Sequence, residues 1–364
     1  MTPRFIRNVL LKAMVLFAIL NLLWAAFTPT SLGRLSSYNI LLRGRERLPF
    51  GEDSTQSYNL SLYNLDAMFA SHKLAGIPKP ADEFRVIVIG DSSAWGTLLR
   101  PEETLAGQLD AAALMVGDRK VKAYNLGYPT LSLTKDLMVL ERSLRYEPDL
   151  ILWPLTLESF PRGRQAESPI VANNPAVVNA LINGWQLDLP ELQNETTFWQ
   201  RTLIGQRREL ADLLRLQLYG VMWSATGIDQ TYPADYERAA IDLEADATFN
   251  GWQPGEMSAQ DLAFDLVAAG VKMAGDTPVV LINEPILVSN GLNSDLRYNF
   301  YYPRWAYDQY RGQFAAFCDT NALTCLDLWD AVPQEHFTNS AIHLDPQGER
   351  MLMERIIQSG VIEP

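Results

Sequence analysis

Four consecutive β-branched residues, Val86-Ile87-Val88-Ile89, run directly into Gly90-Asp91-Ser92-Ser93. Such side chains favour extended backbone, and an unbroken apolar run suits a strand buried on both faces. Glycine permits a sharp turn at the strand's end. The residues that follow pattern as a helix, so Ser92 is expected at the carboxyl edge of a sheet. Open α/β sheets bind their ligands at that edge, and a helix amino terminus favours developing negative charge.

The alternation continues along the chain. Strands are expected over 84–89, 121–126, 149–155, 278–282 and 325–328, and helices over 103–115, 133–145, 259–273, 303–318 and 346–358. Apolar strands alternating with helices predict an α/β fold with a parallel sheet covered on both faces. Residues 160–255 interrupt the pattern and are too long for an ordinary connection, so they read as an insertion. Within it, 198–219 carries an apolar stripe with Arg201, Arg207, Arg208 and Arg215. Glu209 and Asp212 dilute that charge, which favours an amphipathic helix packed on the domain over a lid or a membrane-surface element.

The amino terminus is of another kind. Residues 8–27 are almost entirely apolar, with Lys12 near the start and Arg4 and Arg7 before it. About 20 residues at about 1.5 Å each span a bilayer core. An uncleaved anchor is preferred to a cleaved signal peptide, although Ala25-Ala26 would suit cleavage, because the run exceeds a usual signal core. Arg34, Arg43, Arg45 and Arg47 beyond it weaken the orientation signal. The expected division is a cytoplasmic end and transmembrane helix over 1–27, a juxtamembrane connector over 28–82, and an extracytoplasmic domain over 83–364. A helix inside the connector, over 62–76, is expected to lie against the domain or the membrane. A net charge of −13 argues against nucleic acid as a partner. The two cysteines, Cys318 and Cys325, either form a bridge in an oxidising compartment or remain two buried thiols, and neither has histidines at metal-ligand spacing.

Serine attacks only when a base takes its proton, and histidine is the usual base at neutral pH. The chain has three histidines. His72 precedes the first expected strand, whereas His336 and His343 follow the last. Asp345-Pro346 reads as a helix cap and first turn, which places His343 on the loop before the final helix.

Gly90-Asp91-Ser92 after a strand, with His343-Leu344-Asp345-Pro346-Gln347-Gly348 before the last helix, resembles the SGNH (GDSL) hydrolase superfamily. The resemblance covers about residues 84–360, interrupted by the insertion. It implies a three-layer sandwich with a central parallel five-stranded sheet, SGNH/flavodoxin-like, and no cofactor or metal. It also implies Ser92 as nucleophile and His343 as base. Gly127, in Tyr124-Asn125-Leu126-Gly127-Tyr128-Pro129, matches the family's second block and would give an oxyanion N–H beside that of Ser92.

Two positions depart from the family. Its third block has Gly-x-Asn-Asp, but Trp153-Pro154-Leu155-Thr156-Leu157-Glu158-Ser159 has no asparagine, leaving Thr156 or Glu158 as candidates to face the site. Ser340 stands where the family has the aspartate that orients the histidine, so a backbone carbonyl or Asn339 is expected to hold the ring. Asp91 reads as a structural hydrogen-bonding residue of the turn. The aromatic stretch 297–304, with Asn283, Glu284 and Arg304, is either packing or the lining of a carbohydrate cleft. The preferred function is that of a serine esterase or O-acyltransferase acting on ester or acyl groups, with a cell-surface glycan as candidate carrier. The alternative is a non-catalytic binding or assembly protein that keeps the fold at the membrane.

Overall fold

The computed structural model describes residues 2–27, 39, 42, 44–51, 63–194, 197–230 and 235–362. Much of the expected connector, including Arg34 and Arg43, lies outside them. Helix α1 (Pro3–Phe27) is long and apolar enough to cross a membrane. Helix α2 (Leu65–Ser71), capped by Asn64, packs Met68 and Phe69 into the core, so this part of the connector lies against the domain.

Strand β1 (Glu83–Val88) leads through Asp91 into the four-residue helix α3 (Ser92–Trp95). Then come α4 (Leu105–Ala111), β2 (Met115–Val116), β3 (Arg119–Asn125), α5 (Leu133–Ser143) and β4 (Leu150–Leu155). The insertion carries α6 (Pro175–Trp185) and α7 (Arg207–Thr226). The chain returns through α8 (Phe264–Ala274), β5 (Val279–Asn283), α9 (Arg304–Asn321), β6 (Thr324–Asp327) and α10 (Pro346–Gln358).

The sheet order is β2-β3-β1-β4-β5-β6, parallel throughout except that β2 runs antiparallel to β3. The expected five-stranded parallel sheet is therefore corrected to a mixed six-stranded one. The physical cause is local. Ala113 and Gly117 adopt positive φ, which ends the helix expected to reach 115 and folds Met115–Val116 back on Arg119.

Alternate strand residues enter two cores. Ile87, Ile151, Trp153 and Leu281 face α5, α8 and α9, while Val86, Val88, Leu152 and Ile282 face α4 and α10. The result is three layers, with the carboxyl ends of β1, β3, β4 and β5 along one edge. Cys318 on α9 is bridged to Cys325 on β6.

The helix expected over 198–219 is broken. A short helix (Phe198–Arg201) ends at Thr202, and α7 begins only at Arg207. Leu216, Gly220 and Trp223 bury one face of α7 on the domain.

Candidate active site

The turn after β1 is built for close approach. Gly90 takes φ +142°, and a Cβ there would meet Pro154 O at 3.2 Å. Asp91 is buried and caps α3, its Oδ1 accepting from Ser93 N at 2.8 Å. Because α3 is a single turn ended by Gly96 in the left-handed region, its dipole is small. Ser92 stands half-buried at the sheet edge.

The loop after β6 meets it there. Thr338 N donates to His343 O at 2.8 Å, and Phe337 and Leu344 form a bridge between the loop's two arms. This closure brings Asn339 and His343 together. His343 Nε2 lies 2.8 Å from Ser92 Oγ, and His343 Nδ1 lies 2.8 Å from Asn339 Oδ1. An amide oxygen only accepts, so it assigns the ring proton to Nδ1. Nε2 is then the acceptor facing the serine hydroxyl. Burial holds the His343 pKa at about 4, which keeps the ring neutral. Asn339 itself sits exposed at the rim. Ser340, three residues before His343, is buried and points to Tyr301.

Behind the serine lies a buried charged network that the sequence did not signal. Ser93 Oγ donates to Glu284, and Lys135 Nζ reaches Gly90 O at 2.7 Å and Asp136 Oδ1 at 2.5 Å. Trp153 Nε1 donates to the other oxygen of Asp136 at 3.1 Å. Burial lifts Asp91 to about 6, against the opposing charge of Lys135. Burial and the neighbouring Asp91 push Glu284 well above the usual carboxylate range.

The remaining expected residues divide. Gly127 packs so closely on α3 that a Cβ would meet Trp95 N at 2.5 Å. Its N–H donates to Asn125 Oδ1 at 3.0 Å, and Asn125 Nδ2 donates to Ala94 O at 2.8 Å. The Ser92 N–H is committed to no partner among the described residues. Thr156 does not face the site: it is fully buried and bonded to the Tyr302 hydroxyl at 2.8 Å. Glu158 pairs with Arg164, and Asn250 Nδ2 donates to it at 3.3 Å. Its pKa is raised by burial against the pull of Arg164. His72 is buried in the connector against Glu46 O and Leu74 N. His336 lies 3.1 Å from Asp345, which also caps α10.

The cleft reading of 297–304 is corrected for most of its members. Asn283, Glu284, Arg297, Tyr298 and Tyr302 are buried, and Arg304 stacks over Tyr298 at 4.2 Å. Their apolar rings meet the core and their polar ends find partners inside it, such as Asn283 Oδ1 for Tyr307. Only Phe300 of this stretch is prominently exposed.

No protein-family model matches the chain, and no curated protein does. Among solved structures it is similar to a member of the lipolytic G-D-S-L family from Veillonella parvula, at 10% identity, TM-score 0.36, over 75% of this chain and 96% of the other. It is similar to a carbohydrate acetylesterase from Sinorhizobium meliloti, at 14% identity, TM-score 0.34, over 76% and 98%. A third is an aryl esterase from M. smegmatis, at 13% identity, TM-score 0.32, over 76% and 97%.

Proposed function

We propose that the chain is a serine esterase-type hydrolase working through Ser92, His343 and Asn339. One observation carries this reading: the 2.8 Å hydrogen bonds from Ser92 to His343 and from His343 to Asn339 form one continuous relay. Ser92 Oγ attacks the ester carbonyl carbon while its proton passes to His343 Nε2. Asn339 holds the tautomer that makes Nε2 basic. His343 returns the proton to the leaving alkoxide, and water then resolves the acyl-enzyme. A sugar hydroxyl in place of water would make the same site an O-acyltransferase. The Ser92 N–H serves as one oxyanion donor, and Gly127 joins it when the oxyanion displaces Asn125. The anchor reading places this chemistry outside the cytoplasm at a membrane surface. The apolar α1 and the Cys318–Cys325 bridge support it.

An incomplete oxyanion hole favours the second reading, a binding or assembly protein. Thr156 is turned away and Gly127 is engaged. One missing donor costs about 100- to 1,000-fold in rate, which slows an esterase without abolishing it. The two readings separate by turnover. The full chain in detergent is expected to release acetate from acetylated sugars, and Ser92→Ala to lose that release. Equal release by both proteins would overturn the enzymatic reading. Adding a glycan acceptor and analysing the products distinguishes hydrolysis from transfer.

A further inference from the structure

Helix α7 is apolar on two faces, and only one of them is covered. Leu216, Gly220 and Trp223 are buried. Leu214 (59% exposed), Leu218 (65%), Val221 (46%) and Met222 (49%) are not. At 3.6 residues per turn, these four share one arc of about 100°. Trp199 (73% exposed) and Ile204 (49%) extend the patch just upstream.

The patch begins where α1 lands. Trp24 Nε1 donates to Gln206 Oε1 at 2.8 Å, and Ile204 N donates to Asn21 Oδ1 at 3.4 Å. Asn21 and Ala25 are buried and Trp24 is half-buried, while the apolar side chains from Phe5 to Leu20, with Leu22 and Leu23, stand exposed as lipid-facing residues do. An apolar segment hydrogen-bonded at its start to the end of a bilayer-crossing helix is held close to that helix's solvent. Arg201, Arg207 and Arg208 are exposed beside it, where lipid phosphates would meet them; Glu209 is exposed among them and Asp212 is paired with Arg215, which leaves the cluster net positive.

The turn after α7, Ile228–Gln230, connects through two arginines to the end of α3. Asp229 pairs with Arg45, and Gln230 accepts from Arg47 Nε at 3.2 Å. Arg47, fully buried, donates to Trp95 O at 3.2 Å and Gly96 O at 2.8 Å, at the end of α3.

We propose that the outward face of α7, with Trp199 and Ile204, is a membrane-interface seat that lies in the headgroup region of the bilayer crossed by α1. It thereby fixes the position of Ser92 relative to the membrane. This inference rests on the anchor reading and is independent of the esterase reading.

The test is site-directed spin labelling of the full chain in vesicles of phosphatidylcholine and phosphatidylglycerol. The native cysteines are bridged, so an introduced cysteine is the only thiol. Leu218→Cys and, as an independent check, Met222→Cys report the seat. Leu16→Cys reports the anchor and Glu354→Cys the aqueous domain surface. At positions 218 and 222, collision with oxygen relative to a water-soluble nickel complex is expected to be several-fold higher than at 354. Seat labels that match 354 while 16 is lipid-exposed would overturn the seat alone. If 16 also matches 354, the anchor fails with it. Dipolar broadening at 218 that vanishes on dilution with unlabelled chain would seat a second copy on this face and overturn the proposal.

Discussion

Ser92 and Ser93 are neighbours on one turn, yet they face opposite environments. Ser92 Oγ looks outward to a neutral imidazole whose far side is held by an exposed amide. Ser93 Oγ looks inward to a carboxyl group that shares its burial with Asp91, Lys135 and Asp136. The outer side has a base, an acceptor and access to solvent. The inner side has more acids than bases and its charged groups are buried, so its carboxyl groups are held toward the neutral form. A nucleophile needs both: a reactive face and a rigid back that holds it.

The sharpest break in this comparison is substitution of each serine. Ser92→Ala is expected to lower ester turnover by about 10⁴-fold or more, as when the nucleophile of a catalytic triad is removed. Ser93→Ala is expected to keep most of the turnover and to lose about 1–3 kcal/mol of stability, because Glu284 loses a buried partner. Paired kinetics and denaturant melts of the two variants check this.

The next largest effect falls on Asn339. Asn339→Ala frees the tautomer of His343 and should lower kcat by less than about 10⁴-fold, the cost of a wrongly protonated ring in a triad. Asn339→Asp is expected to retain turnover while raising the His343 pKa, since an anion beside the ring favours the imidazolium.

Lys135→Met probes the back. Removing a fully buried cation leaves Asp136 uncompensated and should cost about 3–5 kcal/mol of stability, read by urea unfolding.

The smallest effect is a displaced pH limb. The neutral ring persists down to about pH 4 rather than 6.5, so kcat/KM is expected to hold as pH falls to 5 and to decline near 4. Between those values the unfolded chain binds a proton at His343 that the native protein does not. Stability from this group therefore falls as pH drops through that window. A limb near 6 would instead implicate Asp91. In Asn339→Asp the limb should move upward.

Much of the frame was legible in the chain. The β-branched run 86–89 locates β1 because a strand buried on both faces needs uninterrupted apolar residues. Asp345-Pro346 marks the start of α10, since cap and first-turn proline are strictly local signals. The expected strands lie within two residues of those observed. What escaped depends on distance or on single dihedrals. The hairpin that adds β2 turns on the backbone of Ala113 and Gly117. Lys135 lies 45 residues from the carbonyl it supports, and Glu284 lies 191 residues from Ser93. Asn339 was legible only as one of two candidates to hold His343. Four residues of hairpin bring it to the ring, whereas Ser340 turns to Tyr301.

The proposed chemistry turns on activation of Ser92 by His343. Reaction of the folded chain with a fluorophosphonate probe, followed by mass spectrometry of the 84–100 region, tests it most directly. A single adduct on Ser92 is expected, absent in Ser92→Ala and strongly slowed in His343→Ala. No adduct on folded protein, or an adduct that survives Ser92→Ala, would contradict it.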